Sequence, residues 1–432
     1  MFLFLYSLIF PIVLLCYLPF YAVHFIRRGG LTVDFWERFG FFPAATKARL
    51  KALKAPVWLH AVSVGETIEA ISFVQLWQKR HPDMELVFSC GTSTAFAMAR
   101  KKMPPQVVIV YCPLDCWWMV RHALKLIHPR TLAIFEVEIW PQLILQAARR
   151  GVKVVLVNGR MSDRSSAAYA RWGFVFRPIF RSFSALCMQT EEDVARVQRV
   201  IGKDDRICAI GTIKFDQIPD QQGKDTAALL DELFGKGERL LFCAGSTHSG
   251  EEELMCQALV QVRRKAPSLR MILVPRHAER GAEVVKILES HGLAWRSLAP
   301  IEGAAPAAAA PVDVLLANTT GQLMGFYSAS DICYVGKSLC GQTGGHNVIE
   351  PAIFGKAIIY GSHMENFRQV DAIFQAEHAG MVVADEKEFI DGLASLATDA
   401  GLRKELGTNA RKTVERHRGA IARTLDIIDK LG

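Results

Sequence analysis

The chain has 432 residues, of which 50% are hydrophobic and 22% charged, and its formal net charge is +8. A chain of this length and apolar content is expected to fold into two or three globular domains. The positive charge is not gathered into a basic stripe with interleaved aromatic residues, which argues against nucleic acid and suits anionic lipid and acidic substrates. The ten cysteines include no Cys-x-x-Cys pair, so neither a zinc site nor a disulfide framework is predicted.

The first segment, 1–26, is predicted to be a membrane anchor. It contains no Asp, Glu, Lys or Arg, and it is long enough to cross a hydrocarbon core. Arg27 and Arg28 follow at once, which by the positive-inside rule places the rest of the chain in the cytoplasm. A cleavable signal peptide is not indicated, because a basic start and a small-residue cleavage site are lacking. Pro11 and Pro19 leave a second interpretation open, a helix lying in the membrane interface.

Beyond residue 56, short apolar runs alternate with longer amphipathic segments. The runs are continuous rather than alternating, as expected of parallel strands buried on both faces. They form two series: 57–61, 86–90, 107–111, 131–136, 153–157 and 184–189, then 239–244, 270–274, 312–316, 331–335, 357–360 and 380–383. The pattern predicts an α/β fold of two Rossmann-like domains facing a cleft, as in two-domain (GT-B type) glycosyltransferases. Periplasmic-type binding proteins and some epimerases share this outline.

The predicted domain limits follow from composition. Residues 217–237 are polar and rich in turn formers, so a boundary is placed there, and the Ala/Pro-rich stretch Gly303–Pro311 is predicted to be a surface loop. The resulting division is an anchor, an N-terminal domain, a C-terminal domain and a C-terminal helix, at 1–26, 27–217, 238–410 and 411–432.

The glycine-rich stretch 335–351 is the first candidate binding element. Four glycines follow a predicted strand within ten residues, and Asn347 with Glu350 resembles a helix start signal, with Pro351 tolerated in the first turn. Backbone N–H groups at such a start favour an anion, so phosphate binding is one interpretation and a plain connecting loop the other.

Polar groups in the first half also follow predicted strands. Glu66 stands at a predicted helix start, either serving the helix dipole or acting as a general base. Glu136 and Glu138 end another strand, but no Asp-x-Asp motif occurs and a metal is not predicted. Further candidates are two arginines suited to an acidic sugar or a phosphate, and a lysine at the end of this half: Arg160, Arg164 and Lys214.

In the second half, four polar loops follow strands and are expected to converge on one sheet edge. They are 245–251, 275–277, 318–323 and the glycine-rich stretch itself. Each is a weak signal alone, and together they favour a nucleotide.

Five motifs resemble those of the 3-deoxy-D-manno-octulosonic acid (Kdo) transferases. They are His60–Glu66 (His-Ala-Val-Ser-Val-Gly-Glu), Glu136–Pro141, Gly211–Asp216, Val274–His277 and Gly344–Pro351, in order along most of the chain. The resemblance implies a membrane-anchored, inverting enzyme of the bacterial inner membrane that works without a metal or other cofactor. It would transfer Kdo from CMP-Kdo to a tetraacylated lipid A precursor at the cytoplasmic leaflet.

The resemblance also implies roles for individual residues. Glu66 would be the general base, with Glu136 and Lys214 supporting the transition state. CMP would be held by Pro275, Arg276, Thr320, Gly321, Gln322, Asn347, Val348, Ile349 and Glu350, the last on the ribose hydroxyls. Two positions depart from the family pattern: Gln322 stands where Glu is usual, and Lys337 where Gly is usual.

Two other functions are compatible with the sequence. One is a membrane-associated transferase that uses a UDP-sugar, such as a peptidoglycan-type N-acetylglucosaminyltransferase, which donor preference would distinguish. The other is a nucleotide-binding membrane sensor without turnover, which Glu66 argues against because a pure binder needs no base.

Overall fold

The computed structural model describes residues 2–27, 33–217, 226–301 and 311–431. The chain divides into two units, which we call domain 1 (Met1–Gln217 with Arg418–Gly432) and domain 2 (Ile218–His417). The Ala/Pro-rich loop predicted at 303–311 lies almost wholly outside the described residues, as does the first part of the predicted boundary at 217–237.

Domain 1 begins with a long helix and then alternates strands with helices. In chain order its elements are α1 (Phe2–Arg27), a 3-10 segment (Val33–Phe39), α2 (Ala44–Ala52), β1 (Val57–Ala61), α3 (Val64–Arg80), β2 (Leu86–Cys90), α4 (Ser93–Lys102), β3 (Val108–Tyr111), α5 (Trp117–Ile127), β4 (Thr131–Phe135), α6 (Pro141–Arg149), β5 (Lys153–Gly159), α7 (Asp163–Arg171), α8 (Gly173–Phe180), β6 (Ala185–Met188), α9 (Glu191–Ile201), β7 (Ile207–Ala209) and a 3-10 segment (Ile213–Asp216).

Domain 2 follows the same alternation. Its elements are α10 (Ala227–Phe234), β8 (Leu240–Thr247), α11 (Glu251–Val262), β9 (Leu269–Pro275), a 3-10 segment (Ala278–Arg280), α12 (Gly281–Ser290), β10 (Trp295–Ser297), β11 (Val314–Leu316), α13 (Leu323–Ala329), β12 (Ile332–Val335), α14 (Ile349–Ala352), β13 (Ala357–Gly361), a 3-10 segment (Glu365–Phe367), α15 (Arg368–Ala376), β14 (Met381–Val383), α16 (Glu386–Thr398) and α17 (Ala400–His417). A last helix, α18 (Ala420–Lys430), belongs to domain 1.

Each domain is built on a parallel sheet of seven strands within the described residues. The strand orders are β3-β2-β1-β4-β5-β6-β7 and β10-β11-β9-β8-β12-β13-β14. Hydrophobic and polar residues do not alternate along the buried strands, because helices cover both faces of each sheet. The strand order reverses between β1 and β4 in domain 1 and between β8 and β12 in domain 2, which is where ligands of such sheets bind. The predicted pair of parallel α/β sheets is therefore confirmed.

Local capping fixes where several helices begin. Ser63, Thr92, Ser162, Thr190 and Asp385 each precede a helix and accept a hydrogen bond from a backbone N–H three residues later. Such caps satisfy donors that the first turn leaves open. They place the helix starts of α3, α4, α7, α9 and α16 directly after the preceding strands or loops.

The domain limits differ from the sequence prediction at two points. Domain 2 begins before residue 238, because Leu230, Leu233 and Phe234 of α10 pack into its core. The single C-terminal helix predicted for 411–432 is instead divided between α17 and α18, since Gly419 has a φ of 96°. Asp216 of domain 1 accepts the N–H groups of Gly419 (2.6 Å) and Ile421 (2.7 Å), which returns α18 to the first domain.

The predicted N-terminal anchor corresponds to α1. Over the ranges that the structure describes, no helix combines the length and the hydrophobicity needed to cross a membrane.

Candidate active site

The acidic candidates of domain 1 follow the two strands at which the strand order reverses. Glu66 lies in the first turn of α3, just after β1, and Glu136 follows β4 directly. Because β1 and β4 are neighbouring parallel strands, their carboxyl ends lie side by side at one edge of the sheet. The topology therefore brings these two carboxylates into one site.

Glu66 forms a capping box with Ser63. The Ser63 hydroxyl donates to Glu66 Oε1 (2.7 Å) and accepts from the Glu66 N–H (3.3 Å), while the Val62 N–H donates to Oε2 (2.6 Å). These bonds hold the carboxylate in one orientation, and its remaining lone pairs are able to accept from a substrate hydroxyl. Glu66 thus has the role at the helix start that the sequence analysis gave as the alternative to a general base. The same hydrogen bonds also preorganise the carboxylate as a potential base.

Glu136 has a backbone φ of 53°, an uncommon conformation for a residue other than glycine. Its Oε2 lies 3.7 Å from Arg160 Nε. Burial raises the pKa of its carboxyl, the nearby Glu66 raises it further, and Arg160 and Lys214 oppose these effects. Strain of this kind persists where the surrounding structure over-determines a conformation, as it does at functional sites.

Two residues that the sequence did not single out as site residues complete the cluster. Asn158 is fully buried and donates through Nδ2 to Glu69 Oε2 (2.7 Å), and its Oδ1 accepts the Ile213 N–H (3.1 Å). Ile213 immediately precedes Lys214, so Asn158 ties the lysine segment to α3. The sequence did contain a sign that Glu69 belongs to the site: it lies three residues after Glu66, and residues at this spacing share one face of a helix.

The cluster brings several ionisable side chains together where burial shifts their pKa values. Burial raises the pKa of Glu69 to about 7, with Glu136 as the next cause, and burial raises the pKa of Glu138 to about 7, with Glu66 and Glu136 adding to the shift. Burial lowers the pKa of Lys214, while Glu69 and Glu136 oppose that shift. Carboxyl groups with such values exchange protons near neutral pH, as general acid–base chemistry requires.

In domain 2 the glycine-rich stretch is organised by a buried carboxylate. Glu251, at the start of α11, accepts the N–H groups of Lys337 (2.9 Å), Ser338 (3.0 Å) and Leu339 (3.2 Å). It also accepts the His248 N–H (2.9 Å) and the Tyr334 hydroxyl (2.6 Å). The N–H groups of residues 337–339 therefore bind this side chain. The helix start for which the sequence predicts anion binding lies further along the stretch, at 347–351.

The rest of that stretch differs from the predicted helix start. α14 is four residues long, and Asn347 Oδ1 accepts the Ile349 N–H at 3.2 Å. The side chains of Val348 and Ile349 are fully buried, which leaves only their backbone for a ligand. Burial raises the pKa of Glu350 to about 7, while a hydrogen bond with Asn347 and the positive charge of Arg276 counteract that rise.

The other predicted nucleotide contacts follow neighbouring strands. Pro275 ends β9 and is buried, and the exposed Arg276 comes next, its N–H donating to Thr247 O at 2.9 Å. Thr320, Gly321 and Gln322 follow β11, which pairs with β9, and Gly321 has a φ of 88°. Thr320 and Gly321 are exposed and Gln322 is half-buried, so this loop remains open to a ligand at the carboxyl edge of the sheet.

A group of histidines in domain 2 was not predicted as a site. His248 Nε2 and His346 Nε2 are 3.0 Å apart with their rings stacked, and the ring of His277 lies edge-on to His248 at 5.8 Å. Burial lowers the pKa of His346 to about 4, and His248 and Arg276 lower it further. The contacts join three loops that lie far apart in the sequence.

Comparison with known proteins identifies the family. The family model described as "3-Deoxy-D-manno-octulosonic-acid transferase (kdotransferase)" matches residues 34–217. A 3-deoxy-D-manno-octulosonic acid transferase of Bordetella pertussis is 31% identical over 416 residues, which cover 93% of each chain. This chain belongs to the Kdo transferase family. The Haemophilus influenzae member is 27% identical over 91% of this chain and 90% of its own.

Solved structures of other proteins share the fold of this Kdo transferase chain. A glycosyltransferase from Rickettsia africae aligns with a TM-score of 0.54 over 88% of this chain and 98% of its own, at 11% identity. That likeness shows the fold alone, and it agrees with the two parallel sheets described above.

The backbone conformation at Lys337 is one that glycine adopts most easily. Lys337 has a φ of 66°, in the left-handed region that favours glycine. Its N–H is held by Glu251, so the loop keeps this conformation despite the side chain. Within the described residues, no group of three or more His, Cys, Asp or Glu side chains is arranged to hold a metal ion.

The Glu69 carboxyl is expected to make stability depend on pH. Its pKa rises from 4.5 to about 7 on folding, so its stabilising contribution is complete below pH 4.5 and is lost as the pH rises through 7. In urea titrations, wild type should lose about 3 kcal/mol more of its free energy of unfolding between pH 4.5 and 8 than Glu69→Gln. The exposed Asp205→Asn should follow wild type, and parallel curves for Glu69→Gln and wild type would refute the assignment.

Proposed function

We propose that this chain transfers Kdo from CMP-Kdo to a lipid A precursor, with inversion, in lipopolysaccharide synthesis. The observation that supports this most directly is the cluster of Glu66, Glu69 and Glu136 with Lys214 at the switch point of domain 1, in a chain of the Kdo transferase family. Family membership supplies the sugar, and the carboxylates supply a base for the acceptor hydroxyl.

The chemistry assigned to domain 1 is a single displacement. Glu66 takes the proton of the acceptor hydroxyl as that oxygen bonds to the anomeric carbon of Kdo. The bond from the anomeric carbon to the phosphate oxygen breaks in the same step, and CMP leaves with its electron pair. Lys214 and Glu136 stabilise charge on the sugar and on the acceptor in the transition state, a type of assistance that supplies several kcal/mol when the groups are preorganised.

Domain 2 is proposed to hold CMP. The proposal is supported by the effects of Asn347 and Arg276 on the Glu350 carboxyl and by the open loop of Thr320, Gly321 and Gln322. Arg276 is exposed and suited to the phosphate, and Glu350 is suited to the ribose hydroxyls. Pro275, Val348 and Ile349 offer backbone groups, since their side chains are buried.

The acceptor is a lipid, and α1 is proposed to hold the enzyme at the cytoplasmic face of the inner membrane. Residues 1–26 carry no Asp, Glu, Lys or Arg, and Arg27 and Arg28 follow on the side expected to face the cytoplasm. A soluble sugar acceptor would not require such a segment.

A transfer assay on purified protein tests this function. CMP-Kdo and lipid A precursor are supplied, and mass spectrometry of the lipid reports the number of Kdo residues added; a parallel reaction contains EDTA. We expect Kdo to be added to the lipid at the same rate with and without EDTA. When UDP-N-acetylglucosamine replaces CMP-Kdo, we expect no sugar to be transferred. Transfer from the UDP-sugar alone would contradict the proposal in favour of the UDP-sugar transferase, and nucleotide binding with no transfer would favour the sensor.

A further inference from the structure

The start of α1 is attached to domain 1. The Tyr6 hydroxyl donates to Asp115 Oδ2 (2.9 Å), and Gln142 Nε2 donates to Ser7 Oγ (2.7 Å). Asp115 is buried and also accepts the Gln142 and Leu143 N–H groups at the start of α6, both at 2.9 Å. The helix is therefore held by a residue that itself caps an element of the domain.

The segment Val33–Phe39, which follows α1 in the chain, contacts domain 1 next to the residue that binds Tyr6. The Leu114 N–H donates to the carbonyl oxygen of Arg38, in the 3-10 segment Val33–Phe39, at 2.7 Å. Tyr6 and Arg38 thus contact consecutive residues of domain 1. Since a helix rises 1.5 Å per residue, a bilayer-spanning α1 would separate Tyr6 from Arg27 by about 30 Å, the thickness of the hydrocarbon core. Arg38 would then lie on the opposite side of the membrane from Tyr6, which the contacts exclude.

Between residues 3 and 16, one face of α1 is half-buried and the opposite face is exposed. Half-buried side chains recur at spacings of one or three residues, at Leu3, Tyr6, Ser7, Phe10, Pro11 and Leu14. Large aliphatic side chains fill the exposed face, and 47–68% of each is accessible: Leu5, Leu8, Ile9, Ile12, Val13 and Leu15. Burying such a face in the acyl region is favourable by the area removed from water.

Helix α5, which follows Asp115, and helix α6, whose first turn Asp115 caps, have the positive charge expected of a surface that contacts anionic lipid. α5 starts two residues after Asp115 with the exposed Trp117 and Trp118, and neither α5 nor α6 contains an acidic residue. Exposed basic residues occur along α5 and at the end of α6: Arg121, Lys125, Arg149 and Arg150. Tryptophan prefers the headgroup level, and basic side chains are attracted to anionic headgroups.

We propose that α1 is a monotopic helix, lying in the headgroup and acyl boundary of an anionic bilayer with both of its ends on the side of domain 1. This inference rests on the proposed membrane attachment and decides between the two interpretations that the sequence left open. It places the N terminus in the cytoplasm, whereas a spanning anchor places it outside. The exposed tryptophans and basic residues of α5 are proposed to contact the same bilayer.

Protease access to an N-terminal epitope tag on the full chain tests the topology, with a C-terminal tag as the control. In intact spheroplasts both tags should be protected, and in inverted membrane vesicles both should be cleaved. Cleavage of the N-terminal tag alone in spheroplasts would overturn the proposal. Recovery of the protein in the soluble fraction would also overturn it, and the transfer assay on that fraction would show separately whether Kdo transfer stands.

Vesicle sedimentation tests the bilayer contact of α5. The double variant Arg121→Gln/Lys125→Gln should bind phosphatidylglycerol vesicles about tenfold more weakly than wild type. The matched control, Lys101→Gln/Lys102→Gln, removes two exposed charges from α4 of the same domain and should bind as wild type does. Equal loss in both variants would indicate unspecific charge attraction and would contradict a defined membrane face.

Discussion

Glu66→Gln is expected to reduce kcat for Kdo transfer by about 10²–10⁴-fold and to leave CMP affinity unchanged. The amide keeps the shape of the side chain, and its oxygen can still accept from Ser63 or Val62, but it cannot take a proton from the acceptor. Single-turnover transfer measures the chemical step, and calorimetric titration with CMP measures binding. The prediction concerns domain 1 chemistry alone, because the proposed CMP contacts belong to domain 2.

Ser63→Ala is the control that separates the base from the helix cap. It removes the hydroxyl that accepts the Glu66 N–H and donates to Oε1, and should cost about 1 kcal/mol of stability. Because the carboxylate remains, we expect a loss in kcat below tenfold. A near-normal rate in Glu66→Gln would move the base to another carboxylate, and Glu138 is the next to test since burial raises its pKa to about 7.

The strands were readable from the sequence because each is a short, continuous apolar run. The two that were missed, β7 and β10, are edge strands of three residues. An edge strand has one neighbour and needs little apolar length, so its signal merges with that of a loop. The helix break at Gly419 was also missed, because a glycine within a helical pattern does not by itself show that the chain leaves one domain for the other.

The positions of Glu66 and Glu136 were predictable, since each follows a strand and parallel strands end at one edge. The contacts that support them were not. Asn158 and Glu69 are 89 residues apart, and Glu251 binds N–H groups 86 to 88 residues further along the chain. Sequence shows which residues follow strands, whereas such pairings depend on how neighbouring strands are ordered in the folded sheet. The sequence around the glycine-rich loop consequently gave no sign that the N–H groups of residues 337–339 bind the protein's own carboxylate.

Glu251→Gln is expected to lower the stability of domain 2 by about 3–5 kcal/mol, because the carboxylate accepts five hydrogen bonds in a fully buried place. Glutamine has one acceptor oxygen, and its amide N–H groups would face backbone N–H groups of residues 337–339. The loop would lose its conformation at Lys337, whose φ of 66° is unfavourable without that support. Since Asn347 and Glu350 follow on the same stretch, CMP affinity should fall about tenfold or more.

Two further variants keep this prediction decidable if Glu251→Gln does not fold. Tyr334→Phe removes one of the five bonds and should cost about 1 kcal/mol, with a smaller loss of CMP affinity. Glu253→Gln changes an exposed carboxylate of the same helix, 3.3 Å from His291, and should match wild type in urea titration and CMP binding. Loss of stability without loss of CMP affinity in Tyr334→Phe would show that the Glu251 network supports the core but not the nucleotide loop. An unchanged urea midpoint in Glu251→Gln would contradict the role of this carboxylate in holding the loop, because four backbone N–H groups and one hydroxyl would then have found other partners.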